Sequence, residues 1–139
     1  MKQNKSVLIL ALFAFLLAAC QPASPSALPS GPVVLGVGQS MASADGRTSV
    51  TFVQLVEDNR CPADAICLTS GSVRVLVEVS LGTEIFQATL TSGDLLEGDL
   101  NSITVGGATV TLSDVQPYPL ASQPADPADY EITLNVENS

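Results

Sequence analysis

Cysteines carry most of the chemistry that this chain could perform, because histidine is absent from all 139 residues. Five residues lie between Cys61 and Cys67, whereas thioredoxin-like redox sites have two residues between their cysteines. A structural zinc ion needs about four cysteine or histidine ligands, and the chain has three cysteines in total. The spacing and the lack of other ligands therefore favour a structural disulfide between Cys61 and Cys67.

The residues that enzymes most often use as bases or nucleophiles are scarce. Without histidine, a Ser-His-Asp triad cannot form. Lys2 and Lys5 are the only lysines, and both lie in the N-terminal segment that we predict below to be cleaved on export. The mature chain would therefore have no lysine for a Ser-Lys pair or a Schiff base. An oxidised cysteine pair offers no thiolate. Carboxylate pairs of the glycosidase kind remain, but aromatic residues for holding a sugar are few. We therefore predict no enzymatic activity and no cofactor.

The polar loop that holds both cysteines, residues 57–71, is the first candidate for a binding surface. Arg60, Pro62 and Asp64 are the candidate recognition residues, and the proline stiffens the loop by fixing one backbone angle. Two interpretations of Arg60 stay open. It forms a surface ion pair worth about 0–1 kcal/mol, or it stands at the exposed tip of a rigid recognition loop. In the second case Arg60→Ala should leave stability within about 0.5 kcal/mol.

A second polar segment is rich in oxygen donors. Asp94, Glu97, Asp99 and Asn101 lie in a loop that also contains glycine. Carboxylate and amide oxygens suit Ca²⁺, although their spacing does not match an EF-hand loop. A solvated acidic loop with no metal is the first interpretation, and a Ca²⁺ site is the alternative.

The N-terminus indicates export and anchoring. Two lysines precede an apolar run of eleven residues, 7–17, which is shorter than the roughly twenty residues of a membrane-spanning helix. The run ends in Leu17-Ala18-Ala19-Cys20, which resembles the lipobox of bacterial lipoproteins. This resemblance implies a signal peptide over 1–19 and acylation of Cys20, for example with palmitate. Gln21 follows the cysteine, and the absence of Asp at this position resembles the outer-membrane sorting pattern. We therefore expect an extracytoplasmic protein anchored to the cell membrane or the outer membrane.

The remaining chain divides into a linker and one domain. Residues 20–32 are rich in proline, serine and alanine, a composition that favours an extended polyproline conformation. Residues 33–139 are enough for one domain with its own core. From Cys20 onward, three arginines stand against fourteen carboxylates, which leaves a net charge of −11. This charge disfavours nucleic acid as a partner and permits cations or basic proteins.

Short runs rich in valine, threonine and leucine alternate with turn residues, which predicts an all-β domain. We expect an antiparallel sandwich of about seven strands with immunoglobulin-like architecture, or alternatively a small Greek-key barrel. In β-strands alternate residues face the same side, so the valines from Val73 to Val79 and the set Phe86, Ala88 and Leu90 should face inward. Irregular alternation over residues 50–56 predicts a bulge or burial on both faces of the strand. The Pro-rich connection over 114–129 should cross between the sheets. The predicted strands are 33–39, 48–56, 72–80, 84–91, 102–105, 108–115 and 130–136.

Two short motifs resemble those of a group of small bacterial lipoproteins of unassigned function. The first is Glu57-Asp58-x-Arg60-Cys61-Pro62, then four residues, Cys67, and Gly71; the second is Asp114-Val115-x-Pro117-Tyr118-Pro119. Members often carry Trp-Ala-Gly where this chain has Leu68-Thr69-Ser70-Gly71. The resemblance implies a β domain at a membrane surface and offers no activity.

These observations favour a lipid-anchored, non-enzymatic binding module with the membrane and a protein as its partners. One version is an inhibitor of a basic enzyme that attacks the envelope, with the cysteine-containing loop as its contact. The alternatives are a structural or assembly component of the envelope, whose exposed sheet edge pairs with a partner strand, and a Ca²⁺-binding β domain.

Overall fold

The computed structural model describes residues 27–139, which form eight β-strands. The predicted signal peptide, Cys20 and most of the linker lie outside the described residues. Residues 27–139 include no helix with the length and apolar character needed to span a membrane. A short 3₁₀ helix, Pro127–Asp129, precedes the last strand. The strands are Gly31–Gly36 (β1), Ser40–Ala42 (β2), Thr48–Asp58 (β3), Ser72–Leu81 (β4), Glu84–Gly93 (β5), Ser102–Val105 (β6), Ala108–Gln116 (β7) and Glu131–Asn138 (β8).

The strands form two antiparallel sheets with the orders β1-β8-β7-β6, called the first sheet, and β2-β3-β4-β5, called the second sheet. The predicted sandwich is confirmed, and the described residues do not close into the alternative barrel. Neighbouring strands mostly follow one another in sequence, whereas immunoglobulin domains use Greek-key connections. The eighth strand is β2, whose three residues are too few to show alternation.

The core lies between the sheets and follows the predicted alternation. Val73, Val75, Val77 and Val79 of β4 are at most 1% exposed. Burial of such a side chain contributes about 1.5–3 kcal/mol, so the inward rows of these strands are a large source of stability. The packed region begins before residue 33, because Leu28 is buried and β1 starts at Gly31. Other buried members of the core are Ala108, Val110, Leu112, Ile132, Leu134 and Val136.

Two strands of the second sheet depart from regular alternation. The bulge predicted in β3 is confirmed, since the register with β4 shifts between Phe52 and Gln54 and again between Leu55 and Glu57. The prediction that Phe86 faces a closed core is only partly met. Phe86 lies on the inner side of β5 but is 39% exposed, because β5 is an edge strand with no neighbour beyond it in the sheet.

One end of the sandwich receives the N-terminal segment. The backbone oxygen of Leu28 accepts a hydrogen bond from the Asn138 side chain at the end of β8 (2.9 Å). The turn between β6 and β7 lies at the same end, since Gly106 is next to Thr48 and Leu81 of the second sheet. We call this the N-terminal end and the opposite one the distal end.

Three loops meet at the distal end. They are the cysteine loop (residues 59–71, after β3), the acidic loop (residues 94–101, after β5) and the proline loop (residues 117–130, after β7). The prediction that the Pro-rich connection crosses between the sheets is wrong. It joins β7 to β8, which pair in the first sheet from Gln116 opposite Glu131 onward.

Candidate functional site

A disulfide closes the cysteine loop, as the sequence predicted. Cys61 and Cys67 are bonded, with their Cα atoms 5.8 Å apart. The N–H of Cys61 also donates to the backbone oxygen of Ser70 (2.8 Å), so the base of the loop is held by a hydrogen bond as well as by the covalent bridge. The loop therefore has little freedom to change its shape.

Arg60 does not stand at the tip of this loop. The ion pair that the sequence offered as the other interpretation is present, with Asp58, but it does not lie at the surface. The side chain of Arg60 is 9% exposed and that of Asp58 is 7% exposed, so the pair is buried. Nε of Arg60 donates to Oδ1 of Asp58 (2.8 Å) and a terminal nitrogen donates to Oδ2 (2.7 Å). The guanidinium also donates to the backbone oxygens of Val115 (2.6 Å) and Pro117 (3.0 Å). The Tyr118 ring lies over it, with 4.8 Å from the guanidinium carbon to the ring centre.

Arg60 thus connects the two sheets, because Asp58 ends β3 of the second sheet and Val115 belongs to β7 of the first. Tyr130 completes the cluster by donating its hydroxyl to Oδ2 of Asp58 (3.0 Å). Burial alone would raise the pKa of the Asp58 carboxyl, but the hydrogen bonds and charge of Arg60 outweigh burial and lower that pKa. Burial, with the hydrogen bond to Asp58, raises the pKa of the Tyr130 hydroxyl. The cluster therefore has a structural role, since it holds the two sheets together at this end.

Asp64 binds the proline loop instead of pointing freely into solvent. Its Oδ1 accepts the N–H of Ala121 (2.6 Å) and its Oδ2 accepts the N–H of Ser122 (3.0 Å). The neighbouring N–H of Ala63 donates to the backbone oxygen of Pro119 (3.0 Å). Hydrogen bonds from Ser122 and Ala121 favour the carboxylate and lower the pKa of Asp64 to about 2. Asp64 therefore fixes the position of the cysteine loop against its neighbour.

The acidic loop is tied to the other side of the cysteine loop. Oδ2 of Asp94 accepts the N–H of Gly71 (2.8 Å), and the N–H of Asp94 donates to the oxygen of Gly71 (2.9 Å). Gly71 has a φ of +73°, and a Cβ at this position would collide with the backbone oxygen of Asn59. A glycine is therefore required where the two loops meet.

The four residues considered for Ca²⁺ do not assemble a metal site. Asp99 binds Arg74 (3.1 Å) and the N–H of Leu96 (2.8 Å), and Asp94 is engaged with the cysteine loop. The amide of Asn101 donates to backbone oxygens of β5 and β7, and thereby connects the sheets. Within residues 27–139, no group of three or more acidic, cysteine or histidine side chains could hold a metal ion. The Ca²⁺ alternative therefore stays a prediction for which the described residues offer no such group of ligands.

The cysteine loop presents apolar side chains at its surface, which the sequence analysis missed. Ile66 and Leu68 flank Cys67 and are fully exposed, at 103% and 105% of their reference areas. On the adjoining proline loop, Tyr118 and Leu120 are 45% and 41% exposed. The available signal was the placement of two branched apolar residues beside a disulfide in an otherwise polar loop. Pro62 is half-buried at the base, so of the predicted recognition residues none forms this surface.

A groove of about 510 Å³ lies on the outer side of the second sheet. Val56 and Arg74 belong to its floor, and Leu100 of the acidic loop forms one wall. Arg74 contacts Asp99 and Glu57, while its Nε is buried and has no hydrogen-bond partner among the described residues. The groove adjoins the free edge of β5.

Comparisons of the chain with protein-family models, with curated proteins and with solved structures find no match.

Proposed function

We propose that this protein is a lipid-anchored, extracytoplasmic binding module that presents its cysteine loop to a protein partner and performs no catalysis. The observation that carries the proposal is the full exposure of Ile66 and Leu68 on a loop held in one shape. Burial of apolar surface is worth about 25 cal/mol per Å², and these side chains can gain it only from a partner. Clustered apolar exposure on a small protein commonly marks an interaction surface.

The rigidity of the loop supports the same conclusion. The disulfide, the Asp64 carboxylate and the reciprocal bonds between Asp94 and Gly71 hold it on three sides. A loop that is already ordered loses little conformational entropy when it binds, so more of the contact energy appears as affinity. A structural role alone would not require the apolar residues to point outward.

The position of the loop fits a protein anchored at Cys20. The N-terminal segment joins the sandwich at the end opposite the cysteine loop. Because Leu28 already packs on the sandwich, a polyproline linker over 21–27 would reach roughly 20 Å at about 3.1 Å per residue. Such an anchor and linker would point the distal loops away from the membrane. A Cys20→Ser variant should lose its acyl label and its membrane attachment, and unchanged attachment would remove this part of the proposal.

Charge defines the class of partner. Arg60 is buried and Arg74 is paired with carboxylates, so no described arginine offers an unpaired positive charge at the distal end. A basic protein with an apolar cleft is the complementary partner, since carboxylates would surround the inserted side chains. An inhibitor of a basic enzyme that attacks the envelope is the version that we favour. Exposed carboxylates at this end are Asp64, Asp94, Glu97, Asp126, Asp129 and Glu131.

Site-specific photo-crosslinking in intact cells tests this proposal. A photoreactive leucine analogue replaces Leu68 in the full chain, and a matched variant carries it at Val34, which is 56% exposed on β1. We expect a discrete crosslinked protein of basic isoelectric point from position 68 and none from position 34. Identical products from both positions, or no product from position 68, would contradict a binding role for the cysteine loop.

A further inference from the structure

The second sheet has one long edge that lacks the usual protection. The other edge strands of the sandwich are short: β2 has three residues, β6 has four, and β1 has six including Pro32. β5 has ten residues and contains neither proline nor lysine. Proteins normally block such edges with these residues, with bulges or with a covering segment, because an open edge accepts further strands. The β5 edge is therefore a candidate strand-binding surface.

The hydrogen bonds of Thr91 show which backbone groups of β5 face outward. Its N–H points away from β4 and donates to the backbone oxygen of Leu100 (2.7 Å). Because the direction of backbone groups alternates along an antiparallel strand, the N–H and C=O of Ile85, Gln87 and Thr89 also point away from β4. No hydrogen bond from residues 27–139 reaches these six groups. A strand placed there would extend the row of hydrogen bonds along β5, in which Leu100 already accepts from Thr91.

Side chains on the two sides of this edge differ in character. On the inner side, Phe86 is 39% exposed and would be covered by an apolar neighbour. On the outer side, the Gln87 side chain donates to Glu78 (3.3 Å), whose carboxylate has no cationic partner among the described residues. Beside Phe86 and Gln87, an added strand would therefore meet an apolar group on the inner side and a carboxylate on the outer side.

We propose that the β5 edge binds an extended segment of another protein in which apolar and basic side chains alternate. Adjacent residues of a strand face opposite sides, so this pattern places apolar groups beside Phe86 and basic groups beside Glu78. The chain's own linker is a poor occupant, because its prolines cannot donate to the ladder. A second copy is also disfavoured, because each mature chain carries a net charge of −11.

The probe is a capped hexapeptide of alternating valine and lysine, with alternating valine and glutamate as its control. The full chain is studied in detergent micelles, and amide hydrogen exchange is followed by NMR. We expect the valine–lysine peptide to slow exchange at Ile85, Gln87 and Thr89 by at least tenfold, and the glutamate peptide to bind at least tenfold more weakly. Gln87→Pro removes an outward N–H and should weaken binding at least tenfold, whereas Gln87→Thr should preserve it.

A double variant, Ile66→Ser with Leu68→Ser, tests the edge separately from the cysteine loop. It should bind the peptide with the same affinity as the unaltered chain. If Gln87→Pro unfolds, a Glu78→Gln variant should still lose the preference for lysine over glutamate. Equal binding of both peptides, or unchanged exchange at the three amides, would overturn the proposal. Protection that grows with protein concentration in the absence of peptide would also overturn it, by making a second copy the occupant.

Discussion

The guanidinium of Arg60 and the carboxylate of Asp58 face each other through two hydrogen bonds, of 2.8 Å and 2.7 Å, at the junction of the two sheets. Both side chains are less than a tenth exposed, and both have further partners. The Tyr130 hydroxyl donates to the carboxylate, and the backbone oxygens of Val115 in β7 and Pro117 in the proline loop accept from the guanidinium. This ion pair holds the distal end together and so supports the cysteine loop that follows it.

Removal of the Arg60 side chain should therefore be costly. Arg60→Ala leaves Asp58 buried without its cation, and loss of one partner of a buried pair typically costs about 3–5 kcal/mol. Urea unfolding should show this loss, whereas Arg47→Ala, which removes an exposed arginine, should stay within about 0.5 kcal/mol. Equal effects of the two variants would mean that the buried pair contributes nothing and that Arg60 is free to serve recognition.

Asp64 gives the protein an acid-sensitive contact. Its pKa is about 2 in the folded state and about 3.9 in an unfolded chain, so the folded state favours the carboxylate. The stabilisation is complete above about pH 5 and is lost progressively as the pH falls through 2, because the unfolded chain takes up the proton first. We expect the difference in unfolding free energy between the wild type and Asp64→Asn to shrink across this range. A difference that is constant from pH 7 to 2 would show that the Asp64 charge is not used.

The disulfide should stabilise the domain without being required for its fold. Cys61→Ala with Cys67→Ala removes the restraint on the unfolded chain and should cost about 2–3 kcal/mol. That corresponds to a fall in melting temperature of roughly 8–20 °C for a domain of this size. Thermal unfolding followed by circular dichroism measures the shift. Loss of all β structure at 25 °C, or two free thiols in the non-reduced wild type, would contradict this prediction.

Gly71 and Gly38 form a matched pair for testing the junction of the loops. Both have positive φ, +73° and +80°, but a Cβ at Gly71 meets the backbone of Asn59 whereas one at Gly38 meets nothing within 4 Å. Gly38→Ala should carry only the conformational cost, on the order of 1 kcal/mol. Gly71→Ala should cost at least about 1–2 kcal/mol more, because a backbone atom must move. Equal unfolding free energies for the two variants would show that the cysteine loop shifts freely.

Local patterns in the sequence were sufficient to predict most of the strands that form the two sheets. Alternation identified the buried row of β4, since that row depends only on which residues share a face. It could not show that Phe86 lies on an edge strand, because alternation does not reveal the neighbour of a strand. The disulfide between Cys61 and Cys67 could be predicted because the chain has only one other cysteine, Cys20.

The distal end was harder to predict because its contacts are remote in sequence. Arg60 has several carboxylates nearby in the chain, but its burial depends on the backbone oxygens of Val115 and Pro117, more than fifty residues away. Asp64 likewise finds its donors in the proline loop. The placement of Ile66 and Leu68 beside Cys67 was a local signal, but their full exposure depends on how these three loops pack.

The central claim is that Ile66 and Leu68 bind a protein partner. The most direct test is to purify the protein that the crosslinking identifies and to measure its affinity for this chain. The full chain, Ile66→Ser with Leu68→Ser, and Val34→Ser are compared for Kd and for unfolding free energy. Because all three side chains are exposed, stability should change by no more than about 0.5 kcal/mol in either variant. We predict that the double variant binds at least tenfold more weakly while Val34→Ser binds as the wild type does. Unchanged affinity in the double variant would contradict the claim.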